Sequence, residues 1–371
     1  MGGISLNPYE IEIISLICKH GLRNEYENFR LSFLSRKIDW LGFVENAPQS
    51  FLFMIERWSR HDKNIPVMVK RRMKEDIINL TRKNMLIKAC LEEVAAAFRK
   101  EKVDFILLKG FFLESRIYYG KPRFFDDLDI LINEDDLGRA QDALLKSGYK
   151  MLTMTDDEKS RITQQELFIK PSSKLLVELH TSIQVSYAPF NISNSSLFRR
   201  SKSVSIDGIR VRVLDDEMAL IHLCIHHVYS HSLSTSKMVQ YSYEISEFIK
   251  RLDKSRAEWN AFARLVHSAK AGAAVYESLA YANKLFPVAM DHDALSMIKN
   301  GASKKEMLVF KIFLRLMSTG PFHYKNGIYW LMKLLLCNSN KKRADIIKDA
   351  YYSARDRCRN VRCRVWPSRV S

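Results

Sequence analysis

Apolar residues recur at three- and four-residue spacings, with charges between them, through residues 45–60 and 67–100. That period marks one helix face packed on a core. Upstream, Asn7-Pro8 reads as a cap followed by proline at the first helical position, and Gly21 as the stop. The first 100 residues therefore read as helical. The pattern changes at Val103-Asp104-Phe105-Ile106-Leu107-Leu108, a short apolar run halted by Lys109-Gly110, which reads as a buried strand and a turn. A short helix over 112–119 ends at Gly120, and Leu128-Asp129-Ile130-Leu131-Ile132 is a second strand. Residues 135–147 read as a helix with Gly148 beyond its end.

Two hairpins follow. One joins 166–170 to 174–183 around Pro171-Ser172-Ser173, and the other joins 204–206 to 209–213 around Asp207-Gly208. Asp-Gly suits a two-residue turn whose central residues both take positive φ. From Asp215 the helical period returns, first through the histidine-rich stretch 222–231, then over 241–251, 257–285, 304–317 and 327–357. The expected fold is α+β. A helical region (1–100) precedes a small mixed-sheet core (101–213), a helical domain (214–340) and a basic helix or tail (341–371).

Composition narrows the class. Of 371 residues, 47% are hydrophobic and 27% charged, which excludes wholesale disorder. No apolar run approaches the roughly 18 residues of a membrane helix. The N-terminal segment lacks a basic-then-apolar leader, and Leu6 breaks the myristoylation pattern. Cysteines stand at 18, 90, 224, 337, 358 and 363 without a Cys-x-x-Cys pair, which argues against a zinc ribbon and for reduced thiols in a cytoplasmic protein. The net charge is +17, of which the last 31 residues carry +7. Such a surplus suits an anionic partner: a nucleotide, a nucleic acid, a polyanionic glycan or a membrane surface. A solvated basic helix would show the same excess.

The chemistry concentrates between residues 107 and 180. Asp127 and Asp129 lie one residue apart at the start of a strand, so their side chains share a face. Adjacent carboxylates repel, and a hard divalent cation such as Mg²⁺ relieves that conflict while binding substrate phosphates. A third acid, Glu178, lies in Leu175-Leu176-Val177-Glu178-Leu179-His180, where a neighbouring strand would bring it to the same face. Lys109-Gly110, between a strand and a helix, would cradle phosphate with backbone N–H groups. Lys109 and Arg123 would neutralise phosphate charge. Asp126 points to the opposite face and reads as peripheral. His180 shares the face of Glu178, either touching substrate or bonding a carboxylate. His222, His226, His227 and His231 lack the His-Glu-x-x-His spacing and read as packed helix residues. Phe322, Tyr324, Tyr329 and Trp330 read as core, and the arginines over 355–364 match no recognised nucleic-acid motif.

The order of these parts resembles the nucleotidyltransferase fold of the DNA polymerase β superfamily, and more closely a bacterial family of uncharacterised nucleotidyltransferases. The resemblance rests on Leu108-Lys109-Gly110, Arg123 to Leu131, Gly148-Tyr149 and Glu178-Leu179-His180, and continues more weakly through Leu214-Asp215-Asp216-Glu217, His222, His226, His231 and Trp259. It spans roughly residues 80–290. Three departures stand out: Phe111 replaces a small polar residue, Glu178 stands where Asp is common, and Tyr241-Ser242-Tyr243-Glu244 replaces an aromatic-Leu-x-Asp stretch. The resemblance implies an enzyme that transfers a nucleoside monophosphate from an NTP such as ATP to a hydroxyl or phosphate acceptor. Mg²⁺, with Mn²⁺ as a substitute, would sit on Asp127, Asp129 and Glu178, and Glu178 would activate the acceptor hydroxyl. Lys109, Gly110, Arg123 and His180 would face the nucleotide. The acceptor would be a peptide, a glycan or an RNA in a tailoring or biosynthetic step. The alternative is a non-catalytic nucleic-acid-binding protein on the same fold, engaging its partner through the basic tail.

Overall fold

The computed structural model describes residues 6–351, except 7, 22–37, 61, 119–121, 153–164, 184–187, 189, 230–234, 253, 320–321, 338, 341–342, 345 and 349. Gly120, His231, Cys358, Cys363 and the arginines over 355–364 lie outside the described residues.

The chain opens with α1 (Pro8–Gly21), α2 (Trp40–Asn46) and α3 (Leu52–Ser59). The expected single period over 45–60 is interrupted, because Pro48 separates α2 from a 3-10 turn leading into α3. The long α4 (Val67–Lys100) follows, burying Ile87, Leu91, Val94 and Phe98 at helical spacing. Then come β1 (Phe105–Leu107), α5 (Gly110–Ile117), β2 (Asp127–Ile132), α6 (Leu137–Lys146), β3 (Lys150–Met151), β4 (Gln165–Lys170) and β5 (Leu175–His180). A short α7 (Asn194–Arg199) precedes β6 (Ser201–Ile206) and β7 (Ile209–Leu214).

These strands form one mixed sheet in the order β3-β4-β5-β2-β1-β7-β6. The hairpin at Asp207-Gly208 is present, and both residues take positive φ, 50° and 87°. The central pairing is parallel between β2 and β5, with Asp127 opposite Leu176 and Asp129 opposite Glu178. On β1 and β2 the pairing is antiparallel, with Leu107 opposite Ile130. Alternation turns Val177, Leu179, Leu128, Ile130 and Ile132 inward, where they are buried on the side covered by α4. The acids of β2 and β5 therefore occupy the other face.

The helices after the sheet are α8 (Asp216–Tyr229), α9 (Thr235–Arg251), α10 (Arg256–Ser268), α11 (Gly272–Leu285), α12 (His292–Asn300), α13 (Lys304–Thr319) and α14 (Phe322–Leu336). The expected helix over 257–285 is in fact two, broken where Lys270 adopts a φ of 51°. α7, α12 and β3 have no counterpart in the sequence reading. Buried apolar residues run without a break from Leu6 in the first segment to Ile346 near the last, so helices and sheet share one core. Cys18, Cys90, Cys224 and Cys337 are buried, and none of the four is in a disulfide. Among the described residues no helix is long and apolar enough to cross a membrane.

Candidate active site

The site begins with a bend. After β1 the chain turns through Lys109, with φ 46° and ψ −127°, and Gly110, with φ 38°. Positive φ at a lysine is costly, whereas glycine takes it freely. Leu108 N–H donates to the Asp129 carbonyl at 3.0 Å, pinning the bend beside β2. Helical bonding in α5 starts with Phe112 N–H to the Lys109 carbonyl at 3.0 Å, so the first-turn N–H groups lie at the bend.

The Lys109 ammonium reaches Asp129 Oδ2 at 3.1 Å. The other Asp129 oxygen, Oδ1, lies 3.0 Å from His180 Nε2, which is also 3.5 Å from Glu178 Oε2. Asp129, Glu178 and His180 each bring one ligand atom within 4.8 Å of the others. Asp127 stands outside that circle but within its field. Burial, then the charges of Asp129 and Glu178, push its carboxyl up to about 6, against the pull of Lys109. For Asp129, burial alone would raise the pKa, but Lys109 and His180 hold the carboxylate well below its usual range. Burial opposes protonation of His180, yet its hydrogen bonds to Asp129 and Glu178 raise the imidazole to about 9. The Lys109 ammonium is likewise disfavoured by burial and kept by Asp129, Tyr241 and Asp127.

The opposite wall comes from α8 and α9. His222 is buried, and burial followed by the Lys109 charge pushes it down to about 3. With Lys109, Phe112 and Leu214 it lines a small cleft. His226 Nε2 lies 3.1 Å from the Tyr241 hydroxyl, and His227 packs behind, 3.4 Å from Ser242 Oγ. These three histidines are packed helix residues, as their spacing suggested.

Arg123 departs from expectation. It is buried, donates from Nε to Glu244 Oε1 at 2.9 Å, and shares that oxygen with the Tyr118 hydroxyl (2.9 Å) and Gln240 Nε2 (2.8 Å). Glu244 is fully buried. As placed, the guanidinium is matched to Glu244, and these bonds tie the segment entering β2 to α9. Asn84 Nδ2 donates to the Arg123 carbonyl at 2.7 Å, and Phe124 N–H donates to Ser50 Oγ at 3.1 Å, fixing the same segment. Asp126 is exposed and pairs with Lys83 on α4, consistent with a peripheral position. Sequence reasoning also missed Lys237, half-buried on α9. Burial and the Arg123 charge lower its pKa, while Asp126, Glu244 and Asp127 raise it. Its one sequence signal is spacing: Lys237, Tyr241 and Glu244 fall at i, i+4 and i+7 on one helix face.

The donor set fits a divalent cation. The charges of Asp129 and Glu178 help push the Asp127 carboxyl up, and a cation removes that cost. A mixed sheet with an acidic face beside a lysine–glycine bend is nucleotidyltransferase architecture. Residues 51–287 match the family model described as uncharacterised nucleotidyltransferase, and the chain belongs to that family. No curated protein matches the sequence. Among solved structures, the chain is similar to the antibiotic-resistance factor ANT(2'')-Ia in solution, with 16% identity and a TM-score of 0.32 over 51% of this chain and 97% of that one. The crystal structure of ANT(2'')-Ia in complex with adenylyl-2''-tobramycin aligns at 12% identity and TM-score 0.29, over 44% and 97% of the two chains. An antigenic nucleotidyltransferase-like protein from Paracoccidioides brasiliensis aligns at 16% and 0.34, over 58% and 93%. None of these findings supports a nucleic-acid partner.

Proposed function

We propose that this protein transfers a nucleoside monophosphate from an NTP to a hydroxyl or phosphate acceptor, releasing pyrophosphate, with the help of a divalent cation. The observation that carries the reading is the placement of Asp127, Asp129 and Glu178 on one face of adjacent parallel strands, beside the Lys109–Gly110 bend. Asp127, Asp129 and Glu178 would hold Mg²⁺, which supplies charge neutralisation at the phosphates. Gly110 lets the backbone approach a phosphate oxygen, and the first-turn N–H groups of α5 donate to it. Lys109, paired with Asp129 at 3.1 Å, exchanges that partner for phosphate when the nucleotide enters. Glu178 accepts the proton of the acceptor hydroxyl. Arg123 and Glu244 tie the segment entering β2 to α9, which fixes the strand that carries Asp127 and Asp129.

The test is transfer of label from α-phosphate-labelled ATP, GTP, CTP and UTP with Mg²⁺, comparing the wild type with Asp127→Ala and Asp129→Ala. Each variant should lose about 10²-fold or more of the activity, as when a group stabilising transition-state charge is removed. Equal activity in all three would reject the assignment.

A further inference from the structure

We infer that His180 is itself a metal ligand, and that the site therefore favours Mn²⁺ or a similar first-row ion over Mg²⁺. The inference rests on the nucleotidyltransferase reading and sharpens it. An all-carboxylate pair-plus-one would be the hard oxygen set that suits Mg²⁺. The side chains that converge most tightly here are different: two carboxylates and one imidazole, Asp129, Glu178 and His180, within 4.8 Å.

The backbone explains the convergence. Glu178 and His180 are i and i+2 on β5 and share a face. Glu178 stands directly opposite Asp129 in the parallel register. His180 then leans back along the strand, so that Nε2 lies between Asp129 Oδ1 at 3.0 Å and Glu178 Oε2 at 3.5 Å. On binding the ion, Nε2 gives up to solvent the proton it now shares with the two carboxylates, and its lone pair supplies the third corner of a coordination face. Its ring is 14% exposed, so it is fixed by its surroundings rather than sweeping through solvent. Imidazole nitrogen is a softer donor than carboxylate oxygen and binds first-row transition ions in preference to Mg²⁺. Asp127, outside the tight circle, is left to share a second ion or to face the nucleotide phosphates.

The test is electron spin-echo envelope modulation of the full chain loaded with Mn²⁺ alone. Wild type should show modulation from a directly bound ¹⁴N. Growth with ¹⁵N-histidine should replace that signal with the ¹⁵N pattern, which needs no substitution and so no folding control. His180→Gln should abolish it while Mn²⁺ remains bound, and titrations should show the Mn²⁺-over-Mg²⁺ preference, tenfold or more in wild type, shrinking in the variant (about tenfold is the scale expected of one lost donor). Bound Mn²⁺ without nitrogen modulation, or modulation that persists in His180→Gln, would overturn the inference and leave the nucleotidyltransferase reading standing. Failure of wild type to bind Mn²⁺ at all would overturn both.

Discussion

Asp127→Asn should stabilise the metal-free protein, because the native carboxylate is held in a hostile field. Its pKa rises from 3.8 to about 6, first through burial and then through Asp129 and Glu178. The sign follows from linkage. Below pH 3.8 the group is protonated in the folded and unfolded chains alike and contributes nothing. Between pH 4 and 6 the unfolded chain ionises first, so the fold loses stability as pH rises, and above 6 the penalty is complete. A shift of about two units corresponds to about 3 kcal/mol at 1.36 kcal/mol per unit. Because Asp129 and Glu178 share the repulsion, a measured gain of 2–3 kcal/mol is the expected order (~2 kcal/mol as a working value). Urea unfolding in chelator gives the number directly. Asp127→Asn should exceed wild type at pH 8, and the two should converge near pH 4. Added Mn²⁺ should then stabilise wild type by mass action, and the variant, which keeps Asp129, Glu178 and His180, to a smaller extent. Asp129→Asn should behave oppositely and destabilise the fold, since Lys109 and His180 would lose their anion. An Asp127→Asn protein no more stable than wild type at pH 8 would refute the electrostatic account of the site.

Further expectations concern the surroundings. Glu244→Gln strands the buried Arg123 charge and should cost about 3–5 kcal/mol in urea unfolding, whereas the paired change Arg123→Met with Glu244→Leu should recover most of it. His222 and His227 are both held near 3 by burial, so the unfolded chain binds protons first as pH falls below 6.5. Stability should decline by about 1.4 kcal/mol per pH unit for each histidine. Over pH 6 to 5, His227→Gln should visibly flatten that slope, and an unchanged slope would count against burial of the neutral ring. Gly110→Ala meets no clash, the nearest atom being on Phe125 at 3.8 Å, so its cost is the positive φ, about 1–2 kcal/mol. It should weaken ATP binding while leaving Mn²⁺ affinity intact.

The acids were legible in the sequence because strand alternation is local. Asp127 and Asp129 share a face by spacing alone, and Glu178 follows once its apolar run is read as a neighbouring strand. The hairpin at Asp207-Gly208 was equally local, a matter of turn chemistry. What escaped was set by partners far along the chain. In the sequence Arg123 reads as a cation beside the acids, but its neutraliser, Glu244, lies 121 positions away on a helix that begins at Thr235, ahead of the predicted 241. The break between α10 and α11 falls at Ala-Lys-Ala-Gly, where no proline warns of it. His180 could be placed on the acidic face, but whether its nitrogen lies between carboxylates depends on strand register, which sequence spacing leaves open.

Calorimetric titration of ATP into the metal-free chain, then into the chain with Mn²⁺, and finally into an Asp129→Ala/Glu178→Ala variant with Mn²⁺, tests the central claim most directly. Tight binding is expected in the second case alone. Equal affinity in all three would mean that the acidic face does not serve a metal-bound nucleotide.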